Sequence, residues 1–333
     1  MWNILLNDDE RMIADSVREF LTAELPLDRL RPKAKPVDAD AVRRAMAGLG
    51  WFSVGLPEEA GGAGLGLVEE MLIQREFGRQ VASPATLAAV LAGHVALAAG
   101  DAELAGELAT GADAVGLAML PPGAASGMPA YVYDWSEGNR LLGWTDKGIG
   151  LFDPEAFTGA REEECIDDSI TLHIGELSPG KALHWIEDPA LLTRARVLIA
   201  ALLVGLAEQA CELTVEYAKI REQFGQPIGA FQAVKHRAAD MGVRARLAWY
   251  QTSVACLKVI AGADDAGLQV DSALLLAAEA AHENGRAGIQ LHGAIGFQSE
   301  CDIHWFMKRA HLYDQLTGGR NVVARKVLSH GSA

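Results

Sequence analysis

Apolar residues at Met12, Ile13, Val17, Phe20 and Leu21 recur at intervals of three and four, which predicts a helix with one buried face near the start of the chain. Asn7 followed by Glu10 supplies the reciprocal bonds of a capping box, and Pro26 stops the run. The turn-rich stretch from Leu56 to Gly66 feeds a second predicted helix from Leu67 to Gln80. Ser83-Pro84 opens another through Ala99, and Asp101 caps a short one.

From about Asp113 the helical period is lost. Pro121-Pro122-Gly123, Gly127 and Pro129 break it, and short runs at 131–133, 140–142 and 169–174 read as strands between turns. Asp188-Pro189 restarts a helical pattern. Helices are expected at about 189–220, 230–261 and 266–293, with shorter ones near 299–315 and 320–329. Their length suits an antiparallel four-helix bundle. The fold class is therefore α+β, with a helical domain over 1–112, a small β domain over 113–187 and a helical bundle over 188–333.

Composition narrows the function. Of 333 residues, 50% are hydrophobic, enough for a substantial core. Lys plus Arg is 29 against Asp plus Glu 44, a net charge of -15, which argues against a nucleic-acid partner. Cys165, Cys211, Cys256 and Cys301 stand far apart with no CxxC, so four reduced, mostly buried thiols and no metal site are expected. The chain begins without a basic segment or a long apolar run, and Val197 to Ala207 is short and flanked by Arg194 and Arg196. The expectation is a cytoplasmic protein with no membrane partner.

Candidate chemistry concentrates in two places. Residues 220–241 link two long apolar-periodic stretches and set Arg221, Phe224 and Gln232 around a Gly-Gln-Pro turn. One cation, one aromatic face and one amide suit a phosphate-bearing, planar ligand. Gln290 to Phe297 closes a long helix, where Gly293 permits close backbone approach and the helix end offers unpaired polar groups. Gly61 to Gly66 follows no strand and lacks both the G-x-G-x-x-G order and a Gly-Lys-Ser/Thr, so it reads as a helix entry.

Residues 220–241 closely resemble the helix–turn–helix signature of the acyl-CoA dehydrogenase family, and Pro57-Glu58-Glu59-Ala60-Gly61-Gly62-Ala63-Gly64 resembles the entry to its N-terminal helical domain. Gln290-Leu291-His292-Gly293-Ala294 is similar to its Gln-x-x-Gly-Gly stretch, with Ala294 in place of the second glycine. The resemblance implies that Arg221, Phe224, Gln232, Gln290 and Gly293 touch the adenosine-diphosphate half of an FAD bound mainly by a neighbouring subunit. It also aligns Arg196 with an arginine near the acyl thioester of an acyl-CoA substrate, and implies an electron-transfer flavoprotein as a possible acceptor.

The same resemblance exposes losses. The family's catalytic glutamate occupies one of two positions, which fall here on Ala195 and Thr317; Asp314 lies three residues from the second. The flavin-facing segment expected after Leu117 is replaced by Ala118 to Gly127, and Gly143 to Gly148 stands near the place of a further family strand. Kept trans-acting residues beside missing self-acting ones match the degenerate chain of heteromeric acyl-CoA dehydrogenases, some of which act on steroid side chains. The implied function is one subunit of an FAD-dependent acyl-CoA dehydrogenase within a heterotetramer. The alternatives are a homo-oligomer, such as a homodimer, with a displaced base, and a non-catalytic scaffold or acyl-CoA-binding subunit.

Overall fold

The computed structural model describes residues 6–121 and 129–330. Five helices come first: α1 (Asp8–Glu24), α2 (Ala39–Gly48), α3 (Leu67–Arg79), α4 (Ala85–Ala98) and α5 (Ala102–Ala109). Strands β1 (Val115–Met119), β2 (Pro129–Tyr133), β3 (Arg140–Trp144), β4 (Ile149–Phe152), β5 (Thr158–Glu163), β6 (Leu172–Glu176) and β7 (His184–Ile186) follow. Then come α6 (Pro189–Ile220), the two-residue strands β8 (Glu222–Gln223) and β9 (Gln226–Pro227), α7 (Gln232–Ile260), α8 (Ala266–His292), α9 (Ile303–Leu316) and α10 (Arg320–His330). The caps read from sequence are present. Asn7 and Glu10 exchange bonds of 2.8 Å, and Asp101 accepts from the Leu104 amide at 3.0 Å.

Packing divides the chain into two compact units. One holds residues 37–70 and 83–195, the other the residues up to Pro36, 71–82 and those from Arg196 on. In the first, the seven strands form one sheet in the order β5-β6-β2-β1-β3-β4-β7. Every neighbouring pair is antiparallel except β1 and β3. Helix α4 is apolar on all sides and almost wholly buried, as expected of a helix packed against this sheet. Val132, Leu141, Phe152, Phe157 and Trp135 form a core cluster. The Trp135 indole donates to Asn139 O at 2.8 Å, so this tryptophan is a core residue. Edge strand β5 is exposed throughout and carries Arg161, Glu162 and Glu163, charges that discourage further strand pairing.

Two sequence expectations need correction here. Ser169 and Ile170 precede strand β6, because Asp167 captures the Ser169 amide and hydroxyl and its carbonyl accepts from Ile170, making a turn. The cysteines are not mostly buried: Cys256 is, while Cys165, Cys211 and Cys301 are half-buried, all four as free thiols. Much of the replaced segment from Ala118 to Gly127 lies outside the described residues. The glycine-rich entry to α3 folds back on itself, with the Gly64 amide donating to Leu56 O at 2.8 Å.

In the second unit, α6 is the central helix. It is long and apolar enough to cross a membrane, and 72% of its most apolar window is buried inside the fold. Its apolarity is that of a core element. The end of α3 lies directly on it at two glycines: a Cβ on Gly78 would stand 2.1 Å from Leu202 O, and one on Gly205 2.0 Å from Arg75 O. Only glycine permits that backbone approach. An ion network seals the crossing, with Arg75 bidentate to Glu208 at 2.7 and 2.9 Å and Arg18 bidentate to Glu76 at 2.9 Å. Within the bundle, the buried Asn284 amide donates to Ala207 O of α6 and Met241 O of α7, and accepts from Arg244. A fully satisfied buried amide fixes the register of three helices.

Candidate functional site

The chain leaves α6 through a tight hairpin. The Arg221 amide still bonds Tyr217 O, as in a helix, and the Ile228 amide returns to Arg221 O at 2.7 Å. Between them Gln223 pairs with Gln226 across a two-residue turn made by Phe224 and Gly225, both left-handed at φ 55 and 80. Two positive φ values define a type I′ turn, which favours Asn-Gly. A phenylalanine at its first position is strained. Its ring is 92% exposed, with one edge-on contact to Phe231 at 6.1 Å.

Arg221 and Gln232 are exposed beside it. Among the described residues, the Arg221 guanidinium makes no ion pair. Gln232 opens α7, whose start carries no side-chain cap. Helix α8 ends at His292, and Gly293, at φ 66 and ψ -143, turns the chain into a 3₁₀ segment with its amide on Gln290 O. Gln290 is exposed, as are Ile295 and Phe297 beyond the turn. The ring of Tyr217, one turn before Arg221, stacks on His292 with centroids 4.1 Å apart. The hairpin and the α8 corner thus leave the bundle from touching residues.

A cleft of about 360 Å³ between α7 and α8 is lined by Arg237, Asp240, Arg244, Glu283, Arg286, Ala287 and Gln290. Gln290 belongs both to this cleft and to the corner. Sequence reading passed over the three arginines, although their helical spacing on α7 and α8 places them on facing flanks. Burial pushes the His292 imidazole below its ordinary value, against the hydrogen bond to Gly288 O that favours protonation. That bond, 2.7 Å from Nδ1 to a carbonyl, requires Nδ1 to carry the proton.

The remaining predicted residues lie elsewhere. Ala195 is buried in α6. Arg196 pairs with the buried carboxylate of Asp271 on α8, and desolvation lowers its pKa. In this structure the guanidinium is engaged by that carboxylate. Thr317 terminates α9, its hydroxyl donating to Asp314 O at 2.8 Å. Asp314 is itself buried, its carboxylate 3.4 Å from His282 Nε2 and 3.8 Å from Arg320 Nε. Burial, then the neighbouring His282, depresses the His311 pKa in the same cluster.

In the sheet-bearing unit, buried Glu70 meets His94 at 2.5 Å and the guanidinium of Arg194. Desolvation opposes ionisation of Glu70, but His94 and Arg194 outweigh it and hold the carboxyl below its usual range.

The chain runs helical, β and helical, with an exposed cation–aromatic hairpin after the central helix. Residues 7–109 match the model of the acyl-CoA dehydrogenase N-terminal domain, and 189–331 that of the C-terminal domain. The chain belongs to the acyl-CoA dehydrogenase family. It is 33% identical over 318 residues to the acyl-CoA dehydrogenase IpdE2 of Mycobacterium tuberculosis, covering 89% of this chain and 92% of that one. Among solved structures it is similar to the ChsE4-ChsE5 complex from Mycobacterium tuberculosis, with TM-score 0.81 and 22% identity over 99% of each chain. It is also similar to the Tcur3481-Tcur3483 steroid ACAD G363A variant, with TM-score 0.76 and 23% identity over 98% of this chain and 99% of that one.

Proposed function

We propose that this chain is one subunit of an FAD-dependent acyl-CoA dehydrogenase that forms an α,β double bond in an acyl-CoA thioester. It lends Arg221, Phe224, Gln232, Gln290 and Gly293 to a flavin held mainly by a second dehydrogenase chain. The strained, 92% exposed Phe224 beside Arg221 carries this reading. The residues present fit an adenosine diphosphate. Arg221 offers a bidentate cation to a pyrophosphate, Phe224 an aromatic face, and Gln232 and Gln290 amides for ribose or base.

A bound FAD would supply the acceptor for the hydride that leaves the β-carbon. This chain's part is to bind and orient: Arg221 neutralises phosphate charge, and the Phe224 ring covers the ligand from water. Removal of the α-proton needs a positioned base. Ala195 and Thr317 cannot supply one, and Asp314 is enclosed with His282. The carboxylate therefore comes from the partner chain. Arg196, aligned with the thioester by resemblance, serves that role only on leaving Asp271. The paired chains named in the ChsE4-ChsE5 and Tcur3481-Tcur3483 structures favour a heteromer, and the steroid substrate class named for the latter favours a bulky acyl group. An electron-transfer flavoprotein is one acceptor the family resemblance allows.

Arg221→Ala in the assembled enzyme tests the half-site. Losing a charge-assisted contact of about 1.5–3 kcal/mol weakens FAD binding roughly ten- to hundredfold. Arg221→Lys restores only part, because the bidentate fork is lost. Full flavin occupancy of the alanine variant at dilute FAD would overturn the assignment.

A further inference from the structure

We propose that the stacked pair Tyr217–His292 is the positioning device of this half-site, locking the Arg221–Phe224 hairpin to the Gln290–Gly293 corner; the proposal rests on the flavin reading above. The two groups of ligand-facing residues come from chain segments far apart in sequence, and a shared ligand is bound well only if their separation is fixed. Neither the hairpin nor the corner has a buried core of its own. Phe224, Ile220, Ile295 and Phe297 all stand exposed.

The pair is built to fix that separation. Tyr217 accepts the Arg221 amide at its carbonyl, at 2.9 Å, so the ring and the guanidinium are one helical turn apart on a continuous hydrogen-bonded backbone. On the other side His292 lies between Gln290 and Gly293. Its ring is held by the 2.7 Å bond from Nδ1 to Gly288 O. The two rings lie 4.1 Å apart and within 20° of parallel, and the Tyr217 hydroxyl donates to His292 O at 3.4 Å. Both rings are partly buried against each other, Tyr217 on α6 and His292 at the end of α8. An aromatic stack with each ring tethered by its own backbone sets the distance and orientation of the two segments it joins.

The experiment uses the assembly purified from its own host through a tag on this chain, stripped of flavin and titrated with FAD. Tyr217→Leu should weaken FAD binding about three- to tenfold, the range of one aromatic stack, with the flavin-free protein still folded and assembled at the temperature of the titration. Tyr217→Phe, which keeps the ring and loses only the long 3.4 Å hydroxyl bond, should retain most of the affinity. His292→Leu should match Tyr217→Leu, and the double variant should be no weaker than either single one. In the NMR spectrum of the flavin-free protein, the ring-current shift of the His292 protons should vanish in Tyr217→Leu and persist in Tyr217→Phe.

Unchanged FAD affinity in either leucine variant, with Arg221→Ala still weak, would overturn the positioning role and leave the flavin reading standing. Unchanged affinity in Arg221→Ala as well would bring down the flavin reading itself. Should Tyr217→Leu fail to fold, His292→Leu carries the same test. Failure of Tyr217→Phe to retain most of the affinity would equally overturn the stack as the device.

Discussion

Arg196 of α6 and Asp271 of α8 form an ion pair inside the helical bundle, and His330 of α10 reaches the same carboxylate at 3.0 Å. Asp271 is almost wholly buried, so its charge depends on these partners. Asp271→Asn leaves the Arg196 charge in a desolvated place without its anion, at a cost of about 3–5 kcal/mol. Urea unfolding measures it, and adding Arg196→Leu to the variant should recover much of the loss. A change below about 0.5 kcal/mol on Asp271→Asn would show that the pair carries no stability.

Acid acts on the other unit through Glu70. Its folded pKa lies below its ordinary value of 4.5, so the stability it contributes is fully present above that pH. It is lost as pH falls through the lower folded value. Glu70→Gln should remove this part of the acid dependence, and cost about 3–5 kcal/mol at neutral pH by stranding Arg194. Stability curves for wild type and variant that run parallel from neutral pH to acid would contradict this.

Phe224 sets stability against binding. Asn suits the first position of a type I′ turn better than phenylalanine does, so Phe224→Asn should stabilise the flavin-free chain by about 1 kcal/mol. The same change should weaken FAD binding by the assembled enzyme, since the exposed ring is lost. Calorimetry and flavin titration on one preparation read both signs. A variant that is less stable and binds FAD as before would reverse the account of this residue.

Asp314→Asn should leave turnover of the assembled enzyme almost unchanged. Removal of a general base typically costs about 10²–10⁴ in rate. A loss of that size, with flavin content intact, would make Asp314 the base despite its contacts with His282 and Arg320.

The long helices were legible because their ends are marked chemically. Pro189 starts α6, its Asp188 carboxylate accepting the Ala190 amide at 2.8 Å. Arg221, Phe224 and Gln232 could be read from one continuous motif, and Gln290 with Gly293 from another. The type I′ hairpin was missed, since strands of two residues carry no period and phenylalanine is an unusual choice for its turn. The Tyr217–His292 stack was out of reach for a different reason: it joins residues on α6 and α8 that share no local pattern. The parallel pairing of β1 with β3 inside an otherwise antiparallel sheet is likewise a tertiary choice. Asp271 in α8 reads locally as a surface charge, and only the packing of α6 and α10 reveals it as a buried anion.

The most direct test of a shared, incomplete site is the flavin spectrum of this chain purified alone, beside that of the same chain purified with its companion dehydrogenase. The account predicts a colourless, inactive chain and a yellow, active complex. A yellow and active homo-oligomer from this chain alone would contradict it and establish a self-sufficient dehydrogenase with a displaced base.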